Sequence, residues 1–230
     1  MKRAHTPVNA LLLFIAWTSL NCSAPSSAPP TEQSEDYAVG TSGMASSAHP
    51  LATQAGLDIL EAGGNAFDAA VAIAATLNVT EPMMSGMGGY GTIVTYDAEG
   101  GRARFLNSSG RIPKALDSDA FRPPTPDYEG NRRGAKAVST PGNLNAWEAM
   151  SREYGTLEWK KLFEPAIRAA EEGFTLGERT ARLIGSAYPQ FPDHAKDIYG
   201  IDGKPLKTGD RLIQKDLAGS LKKVAEHGAK

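Results

Sequence analysis

The sequence predicts an α+β domain in which helices come first, a β-hairpin follows, and further helices complete the chain. Two observations carry this prediction. Apolar residues recur with helical spacing over residues 50–78 and again from residue 143 onward. Between these regions, two short alternating segments flank Gly100 and Gly101, which is the pattern of a hairpin. The same element order also fits a layered α/β/α domain.

Composition limits the classes of function. The chain has 230 residues, of which 41% are hydrophobic and 22% charged, values typical of a globular protein with a sizeable core. A net charge of -2 gives no reason to expect nucleic acid or an anionic membrane surface as a partner. The four histidines are scattered without metal-ligand spacing, and Cys22 has no second cysteine to pair with. We therefore expect no metal site, no cofactor and no internal disulfide.

The N-terminus resembles a secretory signal. Lys2 and Arg3 precede an apolar stretch over residues 10–17, which is too short to span a bilayer as a helix. A buried core helix is the alternative, but no amphipathic pattern continues beyond the stretch. We expect residues 1–22 to direct export, to the periplasm or to a membrane-anchored state.

Cys22 is a candidate lipidation site. An apolar stretch, a single cysteine and a Ser/Pro-rich tether over residues 23–36 resemble a bacterial lipoprotein signal, and a lipid on Cys22 would tether the protein to the membrane. Residues 19–21 depart from the usual pattern before that cysteine. The alternative is a cleaved signal with an incidental thiol. The ordered domain is then expected over residues 37–230.

The first helical region is predicted as a helical hairpin. Pro50 suits a first helical turn, and Gly63 and Gly64 end the helix that it opens. Asn65 can cap a second helix over residues 66–78, which is almost wholly apolar. A helix that is apolar all round is packed on several sides, so we expect it at the centre of the domain.

A glycine-rich turn over residues 85–91 leads into the predicted hairpin, whose strands cover residues 92–96 and 102–106. Four glycines in this turn invite a nucleotide-binding interpretation. The turn, however, precedes a strand instead of joining a strand to a helix N-terminus. A turn that another backbone passes closely is the favoured interpretation.

The remainder of the chain is predicted to be mainly helical. A surface excursion is expected over residues 117–133 and a short strand over 135–139. A helix is then expected over 143–154, with Leu144, Trp147 and Met150 on one face, and a second one from Trp159 to its end at Gly173. Two more are expected over 178–187 and 216–227, the last with Leu217, Leu221 and Val224 facing inward.

No catalytic constellation is visible from the residues alone. The chain lacks a Gly-x-Ser-x-Gly elbow, a His-Glu-x-x-His motif and a phosphate loop with its lysine. Cys22 has no nearby base and lies in the signal region, so it does not suit a nucleophile. Reasoning from the residues therefore ends at an exported α+β domain whose chemistry is not apparent.

A series of ordered motifs resembles the gamma-glutamyltranspeptidase family. The first are ASSAHPLATQAG at 45–56, ILEAGGNAFDAAVA at 59–72, LNVTEP at 77–82 and GMGGYG at 86–91. Further motifs follow in family order: AVSTPG at 137–142, PAIRAAEEGF at 165–174 and GDRLIQ at 209–214. The resemblance runs from about residue 39 to the C-terminus.

The resemblance implies an N-terminal-nucleophile hydrolase fold, a layered αββα architecture of which only the large-subunit part is present. It implies a precursor that cuts itself, and a small subunit from that precursor as the partner. The N-terminal threonine of the small subunit would attack the gamma-amide of gamma-glutamyl peptides such as glutathione. We expect the chain to stop before that threonine, so that no catalytic residue lies in it and the fragment alone is inactive.

Arg111 is the one candidate substrate-binding residue. In the family, an arginine in an Arg-Glu-x-x-Pro run after the second hairpin strand binds the alpha-carboxylate of the glutamyl group. Counting back from Pro113, Ser109 occupies that place here, and Arg111 lies two residues later. In this departure the sequence resembles acylase-like relatives that process other amides. A solvated loop arginine, or a partner for a nearby carboxylate, is the alternative for Arg111.

Three hypotheses therefore stand. The first is part of an exported gamma-glutamyl transferase or hydrolase. The second is an N-terminal-nucleophile amidase of acylase type with non-glutamyl substrates. The third is a catalytically inactive remnant.

Overall fold

The computed structural model describes residues 38–111, 113–117, 119–121 and 137–229. Its N-terminal half is built on two helices, α1 (Pro50–Glu61) and α2 (Ala66–Thr80). Pro50 opens α1 as predicted, and His49 precedes it as the cap. Gly63 then takes a φ of 89°, a left-handed conformation that glycine adopts without strain. The predicted cap at Asn65 is confirmed, and α2 extends to Thr80.

Helix α2 lies at the centre of the core, as its all-round apolar sequence predicts. Val71, Ala72, Ala75 and Val79 on this helix are fully buried. The helix packs against α1 and against two later helices, α3 (Asn143–Tyr154) and α4 (Glu164–Glu172). Small alanine side chains allow these neighbours to approach closely on several sides.

The N-terminus of α2 carries a fully buried carboxylate, Asp68. Its Oδ2 accepts hydrogen bonds from the Asn65 N–H (3.1 Å), the Thr156 N–H (3.0 Å), the Thr156 hydroxyl (2.7 Å) and the Leu157 N–H (3.3 Å). The Asn65 amide in turn donates to the Tyr154 carbonyl at 2.6 Å. This network joins the start of α2 to the turn after α3.

The predicted hairpin is confirmed. Its strands are β1 (Thr92–Asp97) and β2 (Arg102–Asn107), paired antiparallel from Thr92 opposite Asn107 to Asp97 opposite Arg102. On one face, Ile93 packs against the core. On the other face, Val94, Tyr96 and Phe105 are exposed by 74%, 65% and 65%.

The C-terminal half is helical with short strand pairs. Besides α3 and α4 it contains α5 (Glu178–Ala187), α6 (Asp193–Tyr199) and α7 (Lys215–His227), and 3₁₀ turns at Trp159–Phe163 and Tyr188–Gln190. Two antiparallel pairs join β3 (Phe174–Thr175) to β6 (Arg211–Leu212), and β4 (Gly200–Ile201) to β5 (Lys204–Pro205). The inward faces predicted for α3 and α7 are confirmed, since Trp147, Met150 and Leu221 are buried and Leu144, Leu217 and Val224 pack against the core.

Two predictions need correction. The strand expected over 135–139 is wrong for its described part, since 137–139 forms no strand and Val138 is 76% exposed. The single helix expected from Trp159 to Gly173 ends as predicted, but it begins as a 3₁₀ turn and becomes α-helical only at Glu164. Pro165 suits the first turn of the α-helix because it has no N–H to satisfy. Most of the predicted excursion at 117–133 lies outside the described residues.

No helix in the described ranges combines the length and the apolar character needed to cross a membrane.

Candidate functional site

The glycine turn, residues 85–91, connects the end of α2 to β1, as predicted. It starts with the Ser85 N–H donating to the Glu81 carbonyl at 2.9 Å, and it closes on itself where the Gly89 N–H donates to the Gly86 carbonyl at 3.1 Å. A Cβ added at Gly89 would lie 3.1 Å from the Gly86 oxygen and 3.2 Å from the Asn143 side-chain nitrogen. A side chain at this position would press on the backbone of the turn and on Asn143, so glycine fits here with the least displacement of its neighbours.

A second backbone segment passes the glycine turn closely, which confirms the interpretation favoured by the sequence. The N–H groups of Gly142 and Asn143 both donate to the Gly89 carbonyl, at 3.0 and 3.2 Å. A Cβ added at Gly142 would lie only 1.8 Å from the Ser108 carbonyl oxygen. Three segments thus meet here: the glycine turn, the end of β2 and the start of α3.

Polar side chains fix this meeting point. The Asn78 Oδ1 accepts the Met87 N–H at 3.1 Å, and the Asn143 Nδ2 donates to the Gly86 carbonyl at 3.1 Å. The Ser108 Oγ accepts the Gly91 N–H at 2.8 Å, and it lies 2.9 Å from the Gly91 carbonyl and 3.1 Å from the Asn143 Oδ1. We refer to Ser108, Asn143 and their bonds to the glycine turn as the clasp.

Arg111 lies on the segment that leaves the clasp. Ser109 and Arg111 are both exposed, and the Ser109 N–H donates to the Asn107 Oδ1 at 2.9 Å. Within the described residues, the Arg111 guanidinium makes no hydrogen bond or ion pair. An exposed guanidinium that has no partner in the described part of the chain is available to an external anion such as a carboxylate.

A cavity of about 710 Å³ lies on another side of the glycine turn. It is bounded by residues 85–88 of the turn, by residues 197–199 at the end of α6, and by residues 213–217 at the start of α7. Within it, burial raises the pKa of the Tyr199 hydroxyl, which donates to the Gln214 Oε1 at 3.4 Å. Arg111 does not line this cavity, so the two features are separate.

The role of His49 is structural. Its Nδ1 accepts the Leu51 N–H at 3.2 Å, and its ring packs edge-on against Phe174 at 5.5 Å. Burial lowers its pKa, and the negative charge of Glu81 opposes that shift. Because its lone pair is used to cap α1, the ring does not suit a general base.

Only part of this site is predictable from the sequence. The predicted residue Arg111 lies on the segment that follows Ser108 of the clasp, whereas the predicted residue Cys22 lies outside the described residues. Ser108 and Asn143 were missed, because their bonds join segments 17 to 57 residues apart in the chain. Over the residues the structure describes, no three His, Cys, Asp or Glu side chains come together in a way that could hold a metal.

Comparison with known proteins gives consistent results. Residues 52–230 match a family model described as gamma-glutamyltranspeptidase. The chain is 42% identical over 195 residues to the glutathione hydrolase proenzyme of Bacillus subtilis (strain 168), covering 83% of this chain and 33% of that protein. It is 41% identical over 205 residues to the acylase ACY 1 proenzyme of Pseudomonas sp. (strain V22), covering 83% of this chain and 36% of that protein.

A solved structure agrees. The Helicobacter pylori gamma-glutamyltranspeptidase superposes with a TM-score of 0.77 at 33% identity, covering 84% of this chain and 57% of that one. The chain spans about a third of the length of the curated relatives it matches.

Proposed function

The chain belongs to the gamma-glutamyltranspeptidase family, and on this premise we propose that it forms part of an exported gamma-glutamyl transferase or hydrolase. Its fold is the α+β fold of the N-terminal-nucleophile hydrolases. The substrates we propose are glutathione-like gamma-glutamyl amides. The nucleophile would be the N-terminal threonine of a small subunit cut from the same precursor, whose freed alpha-amine can act as its base.

Arg111 is the observation that carries the proposal within this chain. Its guanidinium is exposed and unpaired among the described residues, directly beyond β2. A guanidinium can bind a carboxylate with two parallel hydrogen bonds. A gamma-glutamyl group carries such a carboxylate on its alpha-carbon. We assign Arg111 this role in place of the arginine that the family has at position 109.

The hairpin supports a partner polypeptide. Val94, Tyr96 and Phe105 expose between 65% and 74% of their surface on one sheet face. Neighbouring exposed apolar side chains of this kind are typical of a surface that another polypeptide covers. We propose that the small subunit contributes to covering this face.

Export through residues 1–22, with a lipid on Cys22, is a further part of the proposal. Expression in a bacterium should give a processed form outside the cytoplasm. Recovery of an unprocessed form in the cytosol would contradict export. A Cys22→Ser variant that is processed and fractionates with membranes like the parent would contradict lipidation alone.

An acylase-type amidase is the second candidate. Ser109 stands where the family carries its carboxylate-binding arginine, and a relative named as an acylase is 41% identical to the chain. In this case the substrate would be an amide whose acyl group lacks the alpha-carboxylate, such as an acylated beta-lactam.

The test compares these substrates on the full-length precursor after it has processed itself. The proposal expects a higher kcat/KM for glutathione or a gamma-glutamyl anilide than for an acylated beta-lactam. The reverse order would favour the acylase. Turnover of neither substrate by a correctly processed enzyme would contradict both.

A further inference from the structure

The hydrogen bonds of the clasp are arranged to steer the segment that follows β2. We propose that Ser108 and Asn143 are positioning residues, which fix the direction in which residues 109–111 leave the hairpin and thereby hold Arg111 in its binding position. The consequence for substrate recognition rests on the proposed function. The geometric part of the proposal does not.

Ser108 ends the β-ladder with its side chain. Its N–H donates to the Gly91 carbonyl at 2.9 Å, so these two residues occupy a hydrogen-bonded pair next to Thr92 and Asn107. In such a pair the Gly91 N–H would ordinarily donate to the Ser108 carbonyl. Instead it donates to the Ser108 Oγ at 2.8 Å. Because the hydroxyl replaces the carbonyl, the chain can turn away from the sheet at Ser108 without leaving an unpaired donor.

The Ser108 hydroxyl proton has two acceptors within reach. They are the Gly91 carbonyl at 2.9 Å and the Asn143 Oδ1 at 3.1 Å. One hydroxyl carries one proton, so it can make only one of these bonds well at a time. Either bond keeps the Ser108 side chain directed at the junction of the three segments.

Asn143 connects this point to the core. Its Nδ2 donates to the Gly86 carbonyl at 3.1 Å and its N–H to the Gly89 carbonyl at 3.2 Å. It is the first residue of α3, which is anchored by buried Trp147 and Met150. A side chain at the start of a helix that is anchored in the core therefore holds the glycine turn and contacts the end of β2 at once.

The position of Arg111 depends on this arrangement because no other described residue holds its side chain. Its guanidinium has no partner among the described residues, so the course of the backbone from Ser108 determines where it lies. Packing restricts that course as well, since a Cβ at Gly110 would lie 2.6 Å from the Thr140 Cβ. A binding group held in place before the substrate arrives costs less conformational entropy on binding.

Two readouts on the processed full-length enzyme test the proposal. The variants are Ser108→Ala and Asn143→Ala. Ser108→Thr retains the hydroxyl. Ser220→Ala is the control because, among the described residues, the Ser220 hydroxyl bonds only the Asp216 carbonyl of its own helix, at 3.0 Å. We expect amide hydrogen exchange over residues 86–91 and 107–111 to become at least about fivefold faster in both alanine variants, the factor for one hydrogen bond of about 1 kcal/mol. Exchange should stay unchanged in Ser220→Ala and recover in Ser108→Thr.

The second readout is kinetic. Each alanine variant should raise KM for a gamma-glutamyl anilide about fivefold with little change in kcat. KM for the 4-aminobutanoyl anilide, which lacks only the alpha-carboxylate, should not change. Unaltered exchange in both alanine variants, or equal KM increases on both anilides, would overturn the positioning role. If the wild-type enzyme does not prefer the carboxylate-bearing anilide, the proposed function fails, whereas faster exchange at 107–111 would still support the positioning.

Discussion

The buried carboxylate of Asp68 offers the sharpest prediction for stability. Asp68→Ala removes an oxygen that accepts four hydrogen bonds and is wholly shielded from solvent. The backbone N–H groups of Asn65, Thr156 and Leu157 would lose this acceptor, as would the Thr156 hydroxyl. Each unsatisfied buried donor costs about 1–3 kcal/mol, but small shifts and entering water recover part of this. We therefore expect a loss of about 3–5 kcal/mol in the free energy of unfolding.

Asp68→Asn separates the charge from the hydrogen bonds. An amide oxygen can occupy the Oδ2 position, and its NH2 group would then occupy the Oδ1 position, which has no partner among the residues that the structure describes. The added strength of bonding to a charged acceptor is lost, about 1–2 kcal/mol. The buried NH2 group also gains no acceptor among the described residues, which adds about 1 kcal/mol, so we expect a total loss of about 2–3 kcal/mol. This variant retains enough stability for measurement even if the alanine variant does not fold.

Urea unfolding followed by tryptophan fluorescence measures both variants against a matched control. Asp58→Ala removes a carboxylate on α1 whose side chain accepts one exposed hydrogen bond, from Gln54 at 2.7 Å. We expect it to cost no more than about 0.5 kcal/mol. If Asp68→Ala and Asp58→Ala had equal effects, the Asp68 network would not be the stabilising joint between α2 and the turn after α3.

The remaining predictions concern pH and close packing. Because burial lowers the pKa of His49 against the opposing charge of Glu81, the folded state binds this proton less readily than the unfolded chain. The free energy of unfolding should therefore fall as pH drops below about 6.5. The variant His49→Asn, which can still cap α1, should weaken this pH dependence when urea midpoints are compared at about pH 7.5 and 5.5. An unchanged pH dependence in the variant would exclude His49 as its source. Gly142→Ala should destabilise the protein by about 3 kcal/mol because its Cβ would lie 1.8 Å from the Ser108 oxygen. A Cβ at Gly185 on α5 meets nothing within 4 Å, so Gly185→Ala should stabilise the protein by about 0.5–1 kcal/mol. Urea unfolding measures both variants, and similar shifts for the two glycines would refute the steric argument.

Local signals made the N-terminal half predictable. Three features act over a few residues each and can therefore be recognised in the sequence: the proline that opens α1, the cap at Asn65 and the apolar run of α2. Helix α6 is not predicted from the sequence, because it buries none of its seven residues and therefore has no apolar stripe. The strand expected over 135–139 had suitable residue types, but the described part of it has no pairing partner.

The candidate site was harder to predict because its contacts are long-range. Ser108 lies 35 positions from Asn143, and Asn143 bonds to Gly86, 57 positions away. Nothing local distinguishes a serine that ends a strand as a polar clasp from any other loop serine. The family resemblance identified the motifs containing Asn65 and Asp68, and the structure supplies the physical reason for both residues.

The most direct test of the proposed function is the effect of Arg111→Ala on the processed full-length enzyme. Loss of a desolvated charge-assisted pair of about 2–4 kcal/mol corresponds to an about 30- to 1000-fold lower kcat/KM for a gamma-glutamyl anilide. The 4-aminobutanoyl anilide should be hardly affected, and Arg182→Ala, an exposed arginine on α5, should leave both substrates unchanged. Equal losses on the two anilides after Arg111→Ala, or no loss on either, would contradict the assignment of Arg111 to the alpha-carboxylate.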